Sequence, residues 1–313
     1  MKFGVVMDPI SSINIKKDST LPILLEAQSR KHDLFYIEPN SLFLKGDGAY
    51  ALAQELKVSE NPENWFELFK KSEMRLSDLE MIVMRQDPPF DINYIYNTYI
   101  LEAAEKEGVV VVNKPQSLRD CNEKVFATEF PQCCTTFLVT SNKDLLRDFI
   151  KDHLDTVVKP LDGMGGVSIF RVRSLDPNIS VILENITENG DKKVMIQKYI
   201  PEITDGDKRI LLIDGVPMGG AIARVPLEGE LRGNLAAGAS AVAKSLTNKD
   251  KWICEQVGPR LKELGLTLVG LDVIGDYLTE INVTSPTCFR EYKNLCDIDV
   301  ASVFLDCLEG KLS

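Results

Sequence analysis

Apolar runs alternate with amphipathic stretches along the first 120 or so residues. Short apolar runs predict buried strands at 3–7, 34–38, 80–85 and 109–113. Amphipathic segments at 19–31 and 93–108 predict helices, and the glycines in Gly46-Asp47-Gly48 predict a hairpin turn. Strands that alternate with helices form largely parallel sheets covered by helices. We therefore expect an α/β domain here.

The pattern changes beyond about residue 122, where strand signals come in pairs. The predicted elements are strands at 156–161, 167–172, 194–200, 207–213 and 216–225, a hairpin within 267–283, and helices at 142–152, 178–189, 248–264 and about 297–311. Paired strands with separate helices indicate an α+β arrangement. The stretch 226–247 is rich in Gly and Ala and weakly patterned, and a segment of this length is typical of a functional, mobile loop.

Composition narrows the classes of function. The chain has 313 residues, a length typical of about two domains, and no apolar run long enough for a membrane span. A net charge of −11 disfavours general nucleic-acid binding, because that needs a basic face. The two histidines, His32 and His153, stand among charged residues, which disfavours a Ser-His-Asp mechanism or a His-rich metal site.

Cysteine usage indicates a reducing compartment. The seven cysteines are an odd number and include no CxxC pair. The first residues of the sequence do not have the pattern of a secretory signal. These features predict free thiols and a cytoplasmic location.

A glycine-rich stretch, "VVKPLDGMGGVSIF" at 157–170, stands between two predicted strands. It lacks the Lys-Ser or Lys-Thr of a P-loop, and a strand rather than a helix follows it, which excludes the dinucleotide fingerprint. A glycine-rich hairpin tip remains, whose backbone N–H groups can bind an anion that Lys159 would face. The alternative is an ordinary hairpin turn.

A second hairpin, "LVGLDVIGDYLTEINV" at 268–283, brings polar side chains together. Glu280 and Asn282 are two apart in a strand and share a face. A two-residue turn would place Glu280 opposite Leu271, whereas a three-residue loop, Gly275–Tyr277, places it opposite Asp272 and aligns the apolar residues. Opposed carboxylates repel unless a cation lies between them, and hard oxygen ligands favour Mg²⁺. The alternative is an exposed polar sheet face.

Taken in order, these features resemble the ATP-grasp superfamily and, within it, the bacterial glutathione synthetases. The stretches that carry the resemblance are "MDPISSINIKKDS" (7–19), "MRQDPPFD" (84–91), "NKPQSLRDCNEK" (113–124), "KPLDGMGG" (159–166), "DGDKR" (205–209), "RGNLAAG" (232–238) and "LTEINVTSPTC" (278–288). The resemblance implies a pre-ATP-grasp parallel-sheet α/β domain at 1–121. A two-lobed ATP-grasp fold would follow, with a central lobe at 122–200 and a C-terminal lobe at 201–313.

The resemblance also implies a reaction. ATP, γ-glutamylcysteine and glycine would give ADP, phosphate and glutathione through an acyl phosphate on the cysteinyl carboxylate. Phosphoryl transfer rests mainly on positioning and charge stabilisation, so lysines, arginines and metal ions suffice without histidine. Two Mg²⁺ ions would act with ATP, Mn²⁺ being a substitute, and the family implies a homotetramer. From the net charge and the lack of a long apolar run, we expect neither nucleic acid nor a membrane as a partner.

Roles for individual residues follow from the same resemblance. The ATP-binding residues would be Lys124, Lys159, Gly163, Met164, Gly165, Gly166, Gln197, Lys198, Tyr199, Ile200 and Asp207, with the last on the ribose. The metal ligands would be Asp272, Glu280 and Asn282. The catalytic cations would be Arg209, Arg224 and Arg232, the last reaching in from a lid at 226–247 that keeps water out. The residues near the dipeptide and acceptor would be Asn14, Asp18, Arg85, Ser285, Thr287 and Arg290.

Two other functions fit part of the sequence. A different ATP-grasp ligase, such as a D-alanine–D-alanine ligase relative or another amino-acid ligase, would share the ATP and Mg²⁺ residues and differ in its acceptor pocket. A non-catalytic ATP-binding regulatory protein would retain the fold and bind ATP without ligation.

Overall fold

The structure is a computed structural model that describes residues 1–163, 165–227, 229–230, 233 and 238–312. The strands are β1 (Lys2–Val6), β2 (Asp33–Lys45), β3 (Gly48–Val58), β4 (Phe66–Leu68), β5 (Ser72–Arg75), β6 (Met81–Met84), β7 (Val110–Val112), β8 (Phe137–Thr140), β9 (Asp155–Pro160), β10 (Phe170–Arg173), β11 (Val194–Lys198), β12 (Asp207–Ile213), β13 (Val216–Pro217), β14 (Gly220–Val225), β15 (Ser240–Ser245), β16 (Leu268–Ile274) and β17 (Tyr277–Asn282). The α-helices are α1 (Thr20–Ser29), α2 (Ile92–Lys106), α3 (Pro115–Asp120), α4 (Lys143–His153), α5 (Ile179–Ile186), α6 (Asn248–Glu263), α7 (Phe289–Cys296) and α8 (Val300–Gly310).

The N-terminal sheet has the order β4-β3-β2-β1-β6-β7, with β5 also paired to β3. β1 runs parallel to β2 and β6, and β6 runs parallel to β7, which confirms the predicted parallel centre. β3 returns antiparallel to β2 in the predicted hairpin. The short strands β4 and β5 extend this antiparallel side, and the prediction lacked them because "FEL" and "SEMR" carry little apolar pattern.

The central sheet is antiparallel, with the order β10-β9-β11-β8. Helices α4 and α5 pack on one face, where Leu146 and Leu183 join Val158 and Ile196 in a buried cluster. Since side chains alternate along a strand, Lys159 next to Val158 points away from this cluster. That opposite face meets the third sheet.

The third sheet is also antiparallel, with the order β15-β14-β12-β16-β17 and β13 paired to β12. Leu271 and Ile281 pack with Ile253 of α6 on one face. Leu211 packs with Phe289 and Phe304 of α7 and α8 on the other. Asp207, Arg209, Arg224, Asp272 and Glu280 lie on the face that carries Leu211, because residues two apart on a strand and residues paired across strands point to the same side.

The β16–β17 hairpin reaches the predicted register by a different route. Asp272 does lie opposite Glu280, and Leu271 lies opposite Ile281. The predicted three-residue loop is wrong, because Ile274 pairs with Tyr277 and leaves a two-residue turn. A β-bulge after Asp272 absorbs one residue of β17, so Val273 faces Leu278 instead of Thr279. The bulge thus brings Asp272 opposite Glu280, which the three-residue loop was expected to do.

Three other predictions need correction. The expected loop 226–247 is shorter, because its last part forms β15 and pairs with β14. The expected strand 216–225 is interrupted between β13 and β14, where Gly219 has a φ of +81°. Helix α7 was missed, because the tertiary contact of Tyr292 rather than a long apolar repeat stabilises its eight residues. None of the described helices has the length and apolar character needed to cross a bilayer.

Candidate functional site

The central and C-terminal sheets enclose a cavity of about 480 Å³. It is lined from the central lobe by Lys124, Val157, Lys159, Pro160, Gly163, Gly165, Gly166, Val167, Ser168, Ile169, Phe170, Arg171, Gln197, Tyr199 and Ile200, and from the C-terminal lobe by Ile203, Asp207, Glu230, Gly233, Asp272, Ile274, Thr279 and Glu280. Most of the predicted ATP-binding residues therefore meet two of the predicted metal ligands around one space.

The predicted glycine hairpin joins β9 to β10 at one side of the cavity. Gly165 and Gly166 have φ values of +67° and +77°, a backbone region that residues with a side chain rarely adopt. The glycines are thus required by the turn itself as well as by access to the cavity. Met164, predicted here as an ATP contact, lies outside the described residues.

Two buried lysines face the same carboxylate. Lys124 donates to the Gly163 carbonyl at 2.8 Å and Lys159 donates to the Thr279 carbonyl at 3.1 Å. Their ammonium groups lie 3.6 Å and 3.7 Å from Oε1 of Glu280. Burial lowers the pKa of Lys159, although the Glu280 charge acts against this. The lysines form a positive wall that Glu280 balances in part.

An ion-pair network of two arginines and two aspartates lies on the sheet opposite. Arg209 donates to Asp272 through Nε at 2.6 Å and through Nη2 at 3.1 Å. Arg224 contacts Asp272 at 2.9 Å and also binds the carboxylate of Asp207. All four side chains are largely buried, and removing a single partner would leave an uncompensated charge.

The network separates the pKa values of its two carboxyl groups. Burial favours the neutral form of Asp272, but the charges of Arg209 and Arg224 outweigh burial and hold its pKa well below the usual range. Burial and the nearby Asp272 charge raise the pKa of Asp207 to about 7, against the attraction of Arg224. Oδ1 of Asp207 is buried without a hydrogen-bond partner among the described residues, so a ligand hydroxyl could satisfy it.

The donor set of β16 and β17 suits a hard cation. Asp272 lies opposite Glu280, and Asn282 lies opposite Gly270, where its Nδ2 donates to the Gly270 carbonyl at 3.2 Å and leaves Oδ1 as an acceptor. Two carboxylates and an amide oxygen match the ligands that Mg²⁺ prefers. The described part of the chain has no cluster of three or more His, Cys, Asp or Glu side chains suited to a metal, so the set depends on this amide and on ligand oxygens.

The end of β11 and the hinge segment that follows it form another part of the cavity wall. Gln197, Tyr199 and Ile200 line the cavity, and their placement fits the predicted contact with a base. The side chain of Lys198 is exposed, and Lys198 does not line the cavity, because side chains alternate between the two faces of β11. Only the backbone of Lys198 would therefore reach a ligand in the cavity.

The predicted dipeptide and acceptor residues lie elsewhere. Arg85 is buried and donates to Thr20 at 3.1 Å and to the Pro286 carbonyl at 3.0 Å, while its Nη1 has no partner among the described residues. Asp18 is near enough to act electrostatically on Arg85, and Ser285 binds Asp87. These residues form a second polar cluster between the N-terminal sheet and the segment after β17.

Four predicted residues remain. Asn14 and Thr287 are exposed. Arg290 lines a separate cavity of about 150 Å³, where it lies 3.4 Å from Glu60. Arg232 lies outside the described residues.

Sequence reasoning missed several residues that shape the site. Thr279 forms the bulge of β17 and presents its carbonyl to Lys159. Oε1 of Glu123 accepts from the backbone of Val283 and Thr284 at 2.9 Å and 3.1 Å, which ties the start of the central lobe to the end of β17. Arg171 lines the cavity, and the alternation of Arg and apolar residues in "FRVR" was the available signal.

Comparison with known proteins agrees with this arrangement. Residues 1–119 match the family described as the prokaryotic glutathione synthetase N-terminal domain, and residues 123–297 match the ATP-grasp domain of the same synthetases. A glutathione synthetase of Pseudomonas putida is 55% identical over 313 residues, which are 100% of this chain and 98% of the relative. Those of Pseudomonas aeruginosa and Vibrio cholerae are 53% and 52% identical, again covering 100% of this chain and 99% and 98% of theirs.

Solved structures share the fold at low identity. D-cycloserine synthetase DcsG superposes with a TM-score of 0.70 at 16% identity, with 100% of both chains covered. The ATP-grasp ligase PsnB, in a complex with Mg and ADP, has a TM-score of 0.63 at 14% identity over 99% of this chain and 98% of its own. Since both family domains match in order and the relatives are similar along the full length, the chain belongs to the prokaryotic glutathione synthetases, the ATP-dependent ligases that make glutathione.

Proposed function

We propose that the cavity between the central and C-terminal sheets is the site at which this chain joins γ-glutamylcysteine to glycine. One observation carries the proposal: a glycine hairpin with two buried lysines faces the carboxylates of Asp207, Asp272 and Glu280 across a single space, and the two aspartates pair with buried arginines. Anion-binding groups on one wall and metal ligands with fixed cations on the other are what phosphoryl transfer requires.

In this proposal the triphosphate of ATP lies between the two walls. Lys124, Lys159 and the backbone of Gly163, Gly165 and Gly166 bind its phosphates, and Met164 belongs to the same loop. With the lysines on the phosphates, Glu280 would be available to hold a cation. The base lies against Gln197, Tyr199 and Ile200 beside the backbone of Lys198, and Oδ1 of Asp207, which has no partner among the described residues, accepts from a ribose hydroxyl.

Asp272, Glu280 and Asn282 would hold the divalent metal, and we propose Mg²⁺, with Mn²⁺ as a substitute, because the donors are hard oxygens. Bound there with ATP, two such ions would offset the charge of the phosphates. Asp272 is already paired with two arginines, so its second role would be to keep those arginines in place beside the metal.

The chain's own cations support the chemical steps. The cysteinyl carboxylate attacks the γ-phosphorus of ATP, which gives an acyl phosphate and ADP. The amine of glycine then attacks the acyl carbon, the amide bond forms, and phosphate leaves as the amine loses a proton. Arg209 and Arg224 do not themselves line the cavity, but both are buried against Asp272, which does, and from there they would stabilise the negative charge that develops in both steps. We propose that Arg232 joins them when the lid closes.

The second polar cluster offers a place for the dipeptide and glycine. Arg85 has an unsatisfied buried donor there, and Asp18 and Ser285 supply polar neighbours. Asn14 and Thr287 are exposed nearby in the sequence, and their roles stay predictions. The role of Arg290 as an acceptor residue is the least supported of the set, because it lines a different cavity.

Domain limits, assembly and location complete the proposal. We propose domains at 1–121, 122–200 and 201–313, a division supported by the three separate sheets. A homotetramer and a cytoplasmic location are proposed from the family resemblance, and the seven unpaired cysteines fit the latter.

Phosphate release from purified protein tests the function. With Mg-ATP, release should require γ-glutamylcysteine and glycine together, and glutathione should appear in equal amount. Each substrate omitted singly is the control. Release with another dipeptide or amine, but not with this pair, would retain the ATP site and overturn the substrate assignment.

A further inference from the structure

Arg171 is a cation of the cavity wall that the proposed chemistry does not use. It lies on β10 and lines the cavity together with Tyr199. Its guanidinium carbon lies 3.5 Å from the centroid of the Tyr199 ring, a stacked cation–π contact. Because Tyr199 belongs to the hinge segment between the lobes, this contact fixes a side chain where one lobe continues into the other along the chain.

Asp155, the first residue of β9, holds both members of this stack. Its carboxylate accepts from Nε and Nη2 of Arg171 at 2.8 Å and 2.6 Å, a bidentate pair that orients the guanidinium plane. Its main-chain carbonyl accepts from the backbone N–H of Tyr199 at 3.0 Å. The hydrogen bonds from Arg171 also lower the pKa of Asp155, which keeps this partner ionised at neutral pH.

The position of the stack suits the base end of a nucleotide. Arg171 lies opposite Val157, and Asp155 is two residues further along β9, so the stack lies roughly 7 to 13 Å along the strand from Lys159 of the phosphate wall. An extended nucleotide separates its base from its terminal phosphates by a comparable length. Two of the five N–H donors of Arg171 bind Asp155, and the side chain is 22% exposed, so the remaining donors are accessible to a ligand.

We propose that Asp155, Arg171 and Tyr199 form the wall of the base pocket, and that Arg171 is a positioning residue that sets nucleotide affinity and base selectivity. The inference rests on the proposed function, because it requires the nucleotide to lie in this cavity. Arg171 acts through Tyr199: without the guanidinium, the ring can take other rotamers and the pocket loses its shape.

Steady-state kinetics of Arg171→Ala test this, with Arg173→Ala as the matched control. Arg173 is on the same strand and lies 3.7 Å from the same Asp155 carboxylate, but it is 68% exposed and outside the cavity lining. Arg171→Ala should raise KM for ATP about tenfold and leave kcat and the KM for glycine nearly unchanged. It should also lower the preference for ATP over GTP, whereas Arg173→Ala should match the wild type. Equal behaviour of the two variants would overturn the inference.

Tyr199→Leu provides a second measurement if Arg171→Ala folds poorly, because it retains the Arg171–Asp155 pair. It should raise KM for ATP to a similar extent, and the double variant should be no worse than either single variant if the stack acts as one unit. Additive effects on KM in the double variant would show that Arg171 and Tyr199 act independently.

Lys159→Ala separates the inference from the proposed function. A loss of ATP affinity in Lys159→Ala together with wild-type kinetics in Arg171→Ala would overturn the inference alone. Unchanged ATP affinity in Lys159→Ala would show that the nucleotide lies elsewhere, and both would fall.

Discussion

At the residue scale, Asp272 has two roles: it is a proposed metal ligand and it is the ion-pair partner of two arginines. It is a proposed metal ligand, yet both of its oxygens are bound by Arg209 and Arg224. A neutral substitute would remove the metal ligand and also leave buried Arg209 without an ion-pair partner among the described residues, while Arg224 would retain Asp207. The two roles can be separated by comparing Asp272 with Glu280, whose nearest cations are more than 3.5 Å away.

We expect Glu280→Gln and Asp272→Asn to lose metal-dependent turnover for the same reason but to differ in stability. Asp272→Asn should lower the free energy of unfolding by about 3 kcal/mol, because it breaks a buried ion pair. Glu280→Gln should lower it by less than Asp272→Asn does, because Glu280 is 21% exposed and its contacts with the two lysines are 3.6 Å and 3.7 Å long. Urea denaturation and metal-dependent phosphate release measure the two effects, and wild-type activity in Glu280→Gln would contradict the metal assignment.

Asp207 should make stability depend on pH. Its pKa in the folded chain is raised from 3.8 to about 7, so the native state retains a proton that the unfolded chain releases above about pH 4. Asp207 therefore lowers the free energy of unfolding progressively as the pH rises to about 7. Between pH 5 and 7 the melting temperature of the wild type should fall relative to that of Asp207→Asn, which lacks this titration. Parallel melting curves across this range would refute the raised pKa.

At the scale of elements, close packing of backbones holds α6 against the β12–β13 turn. A Cβ atom added to Gly258 of α6 would lie 2.4 Å from the carbonyl oxygen of Gly215 in that turn. Because the obstacle is backbone, the helix or the turn would have to move. The contact explains why a glycine is tolerated inside a helix, where it is otherwise unfavourable.

We expect Gly258→Ala to lower the free energy of unfolding by about 3 kcal/mol through this overlap. Gly310→Ala is the matched control, because Gly310 is also helical and its added Cβ would meet no atom within 4 Å. The control should change stability by less than about 1 kcal/mol and in the stabilising direction. Chemical denaturation of both variants checks this, and equal stability would mean that the two elements can separate without cost.

At the scale of the whole molecule, the site depends on three sheets that the chain brings together from distant segments. Asn113 shows the connection: its side chain bonds the Leu268 and Val283 backbones and so joins the end of the first sheet to the hairpin of the third. Such contacts couple the N-terminal domain to the strands that carry the metal ligands.

The surface of α2 carries an apolar stripe that other copies of the chain could contact in the proposed tetramer. Ile92, Tyr96 and Tyr99 are each more than half exposed on one side of this helix. We expect light scattering to give four times the chain mass, as the family resemblance predicts. A monomer at micromolar concentration would contradict the proposed tetramer and leave the stripe as an ordinary surface feature.

The sequence by itself determined the parallel centre of the first sheet, the glycine hairpin and the pairing of Asp272 with Glu280, because each depends on local periodicity or on positive φ. It did not determine the Thr279 bulge, strand β15 or the Arg171–Tyr199 stack. These arise only when separate strands meet: the bulge follows from fitting two apolar faces, β15 from the open edge of β14, and the stack from β9, β10 and the hinge lying side by side. Likewise, the pKa values of Asp207 and Asp272 diverge because folding buries both beside the same two arginines.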